Sequence, residues 1–359
     1  MTPAPTRSGE KRCRRASVLE RHDGGRRLHR HPVTFYLPGE NDLERLGSLD
    51  PDRDWDEFVR GEHAWILQTY LRLRQAGHPV VLRGEPPAEG FVVYHAKHAR
   101  NLLRRAHRLG RAVLVGVRAD NSEPASADFE VNQNRVYADG RRRFHVPHWP
   151  QPGLLPRDPR RGSRIERVEF KGFLANLAPE FRHPDWAQWL AQRNLQWRVD
   201  AVEWKHLAWS RERLTWNDFR QTDLLLAVRP GDPSGYTHKP ATKLYNAWHA
   251  AVPALLGREP AFRELRRDPL DYLEVSSLEE AKAAVDLLLA EPDRYQRMID
   301  HGRARAAEFT TAIVLARWVE LLWQELPPVA RHRPLQHLPH LLRPLVRQAQ
   351  RLLAGRPLR

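Results

Sequence analysis

From residue 33 onward, short apolar runs alternate with longer stretches whose apolar residues recur every three or four positions. "VTFYLP" is a β-rich run stopped by Pro38 and Gly39, and a helical pattern follows from Trp55 to Arg74, with Phe58, Val59, Ile66, Leu67, Tyr70, Leu71 and Leu73 on its apolar side. "HPVVLRG" and "GFVVYH" read as two strands. "AKHARNLLRRAHRLG" reads as a helix with Gly110 as its stop, and "RAVLVGVRAD" as the next buried strand. Strands apolar on both faces and interleaved with helices indicate a mostly parallel sheet.

The stretch 145–164 breaks this rhythm with five prolines and reads as an interdomain connection. A second alternation then starts. "RIERVEFKG", "QWRVDAVEW", "TDLLLAVRP", "AVPALLG" and "DYLEVSS" are strand-like, while "HPDWAQWLAQRN", "LEEAKAAVDLLLAEP" and the patterns at 293–308 and 311–325 are helical. The expected fold class is α/β, with two Rossmann-like, doubly wound domains in tandem and C-terminal helices. The expected boundaries are a basic arm at 1–32, a first domain at 33–150, a linker at 151–163, a second domain at 164–325 and a basic amphipathic tail at 326–359.

Composition changes the picture in two respects. Cys13 is the only cysteine of the 359 residues, which excludes an internal disulfide and a multi-cysteine zinc site. The formal charge of +15 points at first to nucleic acid. Residues 1–32 carry +6 of it and residues 331–359 carry +7, which leaves +2 on the body. A nearly neutral body argues against nucleic acid as partner. The basic tail, with its leucines among arginines, has two readings, a segment for an anionic membrane surface and a helix crossing back onto the first domain, and each can hold for a different part of it. No apolar run reaches the ~18 to 20 residues of a membrane span, and no apolar stretch follows the basic start, so the expected location is cytoplasmic, peripheral at most to the plasma membrane's inner face.

The densest chemistry lies in "SGYTHKPATKLYNAWHAAVPALLG", residues 234–257. It follows an apolar strand that delivers Arg229 to its carboxyl edge, where open α/β sheets bind ligands. Pro240 suits a first helical position, and the free N–H groups of such a turn attract an anion. Lys239 and Lys243 near a helix start oppose its dipole unless an anion compensates. Thr242, His238 and Arg229 add donors, so the stretch fits a diphosphate. The plainer reading is a solvated helix start.

With its flanks ("LLLAVRP" before, "DYLEVSSLEEAKAAVDLLLAEPDRYQRMIDHGRARAAEFT" after), this stretch resembles the donor domain of bacterial GT-B glycosyltransferases. "KPATKLYNAW" with "AVP" resembles more narrowly the sugar-nucleotide transferases of cell-surface polysaccharide pathways. The resemblance is specific over about 225–312 and covers most of 33–325 in organisation. It implies a nucleotide-sugar donor held by Arg229, His238, Lys239, Thr242, Lys243 and Asn246, with Glu274 and Glu279 in the segment that contacts the donor ribose. It implies a glycan or lipid-linked hydroxyl acceptor, and no cofactor beyond the co-substrate; metal-free catalysis agrees with the lack of an Asp-x-Asp motif. Retaining members often carry a glutamate early in the donor-phosphate segment. This chain has His238, Lys239 and Lys243 there, which leaves inversion and retention both open.

Other residues have two readings each. His95, after "GFVVY", and Asp120, after "LVGVRA", sit at carboxyl edges where either serves as catalytic base; His95 also fits a helix cap. Glu279 equally fits a first-turn acid near a Ser277 cap. His145 and His148 lack the partners that a metal site needs. Trp186, Trp189 and Trp197 have core spacing, whereas Trp204, Trp209 and Trp216 fall in irregular sequence and could stack on sugars or bases. The alternative to a transferase is a non-catalytic nucleotide-sugar or membrane-surface binding protein on the same scaffold.

Overall fold

The computed structural model describes residues 33–353 apart from 122, 125, 208–212, 332–334 and 336–337. The basic arm and Trp209 therefore lie outside the described residues. Eleven described strands form two sheets. The first has the order β2-β1-β3-β4-β5-β6, from β1 (Val33–Tyr36), β2 (Val80–Arg83), β3 (Phe91–His95), β4 (Val113–Val117), β5 (Phe129–Asn132) and β6 (Arg143–His145). The second has the order β11-β10-β9-β7-β8, from β7 (Arg167–Phe173), β8 (Gln196–Val202), β9 (Leu224–Ala227), β10 (Ala254–Leu256) and β11 (Leu273–Glu274). Every pairing is parallel.

The apolar runs become central strands because helices and loops cover both faces. β1, β3, β4, β5 and β9 are buried along their whole length. β5 and β6 are missing from the sequence reading. "FEVN" and "RFH" put charged or polar residues on two very short strands, so neither gives an apolar run.

The Pro-rich connection is packed down rather than free. Arg157 is buried against Asp223 at 2.8 Å, and Leu155 bridges to Asp218. The chain also crosses back earlier than its pattern implies. Val314, Trp318, Leu321, Leu322, Leu326 and Ala330 all join the core of the first sheet. Helices from residue 311 onward thus belong to the first unit, where the sequence reading carried the second domain to 325 and began a tail at 326. Helical periodicity says which face is apolar, and says nothing of which sheet receives it. Among the described residues, no helix is long and apolar enough to cross a membrane.

Candidate functional site

In the second sheet β7 lies between β8 and β9, so the connections diverge and leave a crevice at the carboxyl ends of β7 and β9. Lys171 to Phe173 end β7, and Val228 and Arg229 follow β9. The helix Thr242–Ala250 begins there, two residues later than its sequence suggests, with Ala241 as its cap and Pro240 outside it. Lys243 reaches from its first turn to the end of β7, where Nζ donates to the backbone oxygen of Lys171 and stands 5.3 Å from the Phe170 ring centre. Gly172 makes that approach possible. Its φ is +142°, and a Cβ there would lie 2.9 Å from Lys243 Nζ.

Arg229 is held from three directions. Nε donates to Glu259 Oε2 at 3.0 Å, Nη1 donates to Asn176 Oδ1, and the guanidinium carbon sits 5.5 Å from the Tyr236 ring centre. Glu259 is buried, and its carboxyl is pushed up by that burial while Arg229, Lys239 and Lys243 pull it down. One buried carboxylate facing three cations leaves an excess of positive charge. Lys243 registers it: burial, then repulsion from Arg229 and Lys171, lowers its ammonium to about 7 against the pull of Asp200 and Glu259.

The segment just before that helix meets the first sheet. Lys239 Nζ lies 3.0 Å from Asp120 Oδ2, Asn134 Nδ2 donates to Thr237 O at 2.6 Å, and Gln133 Nε2 donates to His238 O. Glu264 also accepts the Arg135 N–H at 2.7 Å. The carboxyl edges of the two sheets therefore face each other across one cleft. His238 contributes its carbonyl to this seam, and its imidazole is held below its ordinary value by burial and by Lys239. Thr242 opens the helix, and its hydroxyl accepts from Tyr245 at 3.4 Å.

Other sequence-predicted residues are engaged elsewhere. Asn246 turns its amide oxygen to the Gln151 N–H at 2.9 Å and fixes the interdomain connection. Glu274 is gripped by Arg263 at 2.7 Å and Arg258 at 3.3 Å, and the Arg263 hydrogen bond holds its carboxyl low. Glu279 stands exposed in the first turn of Leu278–Ala290, where Ser277 is the cap. His95 also takes its plainer reading. Nδ1 accepts the Lys97 N–H at 3.3 Å, capping the next turn, so the neutral ring carries its proton on Nε2 and offers a donor rather than a base. Burial lowers its pKa to about 4. Asp120, by contrast, keeps 56% of its side chain exposed at the cleft.

His148 places its ring against Trp65 and Nδ1 on the Trp149 carbonyl at 2.6 Å. Among the described residues no three His, Cys, Asp or Glu side chains cluster as a metal site. Trp186, Trp189 and Trp197 pack on one another as expected. Trp204 stacks at 4.0 Å on Phe173, at the end of β7, and remains 60% exposed, while Trp216 meets Phe173 edge-on.

Several residues escaped the sequence reading. Glu259 follows β10 just after Gly257, so the edge rule that selected Arg229 would have found it. Gly172 at the carboxyl end of β7 and Asn176 just after it fall under the same rule. Glu130 gave no signal, because β5 itself gave none. It is fully buried, neither carboxylate oxygen has a hydrogen-bond partner, and Arg118 stands 3.8 Å off. Desolvation raises its pKa to about 7.

Two parallel sheets with facing carboxyl edges, finished by helices that return to the first, define the GT-B fold. The chain is similar to the structure of Anabaena HepE in complex with UDP and glucose, at 11% identity and a TM-score of 0.51, over 81% of this chain and 99% of that one. It is also similar to TarM, at 9% identity and a TM-score of 0.46; the match takes in 66% of this chain and about half of TarM, 55% of its length. No family model matches the sequence, and no curated protein matches it significantly.

Proposed function

We propose that the chain is a glycosyltransferase that moves a sugar from a nucleoside-diphosphate-sugar donor to a hydroxyl acceptor, in polysaccharide or glycoconjugate synthesis. The observation that carries this reading is the convergence of Arg229 and Lys243 on the crevice between β7 and β9, with Lys239 at its rim opposite Asp120. As the bond between the anomeric carbon and the diphosphate oxygen breaks, negative charge grows on the leaving group. Preorganised cations in a partly dry site stabilise that charge more than they stabilise the intact donor. A new bond forms from the acceptor oxygen to the anomeric carbon, and the acceptor proton passes to a base. Asp120 is the reachable carboxylate on the facing edge. Likeness of fold to HepE, whose structure holds UDP and glucose, supports the donor class. Residues 151–163 and the helices to about 309 complete the donor side, and the first sheet presents the acceptor side.

The test is calorimetric titration with a panel of nucleoside diphosphates, followed by transfer assays with the matching sugars. Lys243→Ala should weaken binding of the preferred diphosphate at least ~10-fold, as expected when a charge-assisted contact is lost. Unchanged affinity would reject the assignment.

A further inference from the structure

The last described segment inverts the rule for a surface helix, which ordinarily buries its apolar stripe and exposes its charges. Arg343, just 2% exposed, meets the buried Asp128 carboxylate at 3.2 Å, and Arg347 meets it one turn later at 3.1 Å. Arg343 Nε also donates to the Leu338 carbonyl at 3.0 Å. Leu341, Leu342 and Leu345, by contrast, are 57%, 45% and 61% exposed. Scattered exposed leucines need no explanation. Three within five residues, beside arginines that turn inward, form a patch that does.

Asp128 is the cause of the inversion. It ends the crossover into β5, lies out of water and accepts the Leu114 N–H at 3.0 Å. A buried carboxylate needs cations, and the two arginines supply them from the helix Arg343–Leu353. Their inward grip fixes the roll of the segment and turns the leucines outward. Residues 331–359 hold seven arginines and no acid, so cationic charge remains after two are committed to Asp128.

We propose that this segment is a docking surface for an anionic lipid bilayer, with Leu341, Leu342 and Leu345 entering the headgroup boundary and the segment's remaining arginines drawing it to acidic lipid. Nucleic acid would use the cations and leave the leucines without a role. A second copy of the chain would bring two strongly basic segments together. The proposal is independent of the transferase reading, because it rests on residues of this segment and on none of the crevice.

Full-length protein is sedimented with vesicles of phosphatidylcholine alone and with about one-third phosphatidylglycerol. Binding is expected to the anionic vesicles alone, to fall as salt rises, and to weaken at least ~10-fold when Leu341, Leu342 and Leu345 are all changed to serine. The triple variant should keep its thermal midpoint and its nucleoside-diphosphate affinity, since the three side chains are exposed. A second variant, Arg351→Gln with Arg356→Gln, leaves the leucines intact and should also lower binding. Wild-type protein that ignores both vesicle types, or a triple serine variant that sediments like wild type, overturns the proposal. So does a leucine-dependent dimer, or a leucine-independent affinity for DNA, in place of lipid binding.

Discussion

Lys239 Nζ and Asp120 Oδ2, 3.0 Å apart, join the carboxyl edges of the two sheets across the cleft. A diphosphate entering the crevice competes with Asp120 for that ammonium. Asp120→Asn removes the competitor and a negative charge from the site. It should tighten nucleoside-diphosphate binding by roughly 2- to 5-fold, the scale of a partly exposed ion pair. If Asp120 is the base, transfer should fall by ~100-fold or more in the same variant. Calorimetry and a transfer assay read the two effects separately. Tighter binding with undiminished turnover would leave Asp120 a latch and move the base elsewhere.

Lys243 makes binding a proton-linked event. Its ammonium pKa of about 7 means that the free protein at pH 8 holds this amine mostly neutral. A bound diphosphate favours the charged form and raises the pKa back toward that of an ordinary lysine. Binding at pH 8 should therefore take up close to one proton, and at pH 6, where the amine is already charged, much less. The binding enthalpy in buffers of different ionisation enthalpy measures this uptake. Lys243→Met should abolish the buffer dependence along with most of the affinity.

What the sequence makes legible follows from periodicity and edge rules. Apolar runs such as "LLLA" and "VLVGV" give central strands directly, because both faces are covered. Lys239 and Lys243 stand out because lysines at a helix start are electrostatically odd, and Arg229 because it follows an apolar strand at its carboxyl edge. Asn246 misleads for a different reason: three residues past Lys243 it shares the motif, yet its side chain faces the connection at Gln151. The short strands β5 and β6 stay hidden, and Glu130 with them. Assignment of residues 311–331 to the first sheet is a long-range fact that no local pattern encodes.

Gly172 tests whether room for the lysine, rather than the lysine alone, makes the site. Alanine there meets Lys243 Nζ at 2.9 Å and must hold φ near +142°, which side-chain-bearing residues seldom adopt. Gly172→Ala should lower stability by about 1–2 kcal/mol through backbone strain. It should also weaken nucleoside-diphosphate binding, because the amine is displaced from the end of β7. A variant that loses stability and keeps full affinity would show that Lys243 does not reach its ligand through this gap.

Glu130 gives the first unit its own pH dependence. Its carboxyl titrates near pH 4.5 when unfolded and near 7 when folded, because burial without a hydrogen-bond donor penalises the anion. A raised carboxyl pKa gives stability that is complete below the unfolded value and lost as pH rises through the folded one. Each tenfold change in an ionisation constant is worth ~1.4 kcal/mol, so between pH 4.5 and 7 the chain should lose about 3 kcal/mol on this account. Glu130→Gln cannot ionise and escapes the loss. It should match wild type within ~1 kcal/mol at pH 4.5 and exceed it by about 2–3 kcal/mol at pH 8, allowing for the unpaired amide it leaves. Urea unfolding at the two pH values decides this. An equal difference at both would mean that Arg118, 3.8 Å away, already keeps the carboxylate ionised throughout.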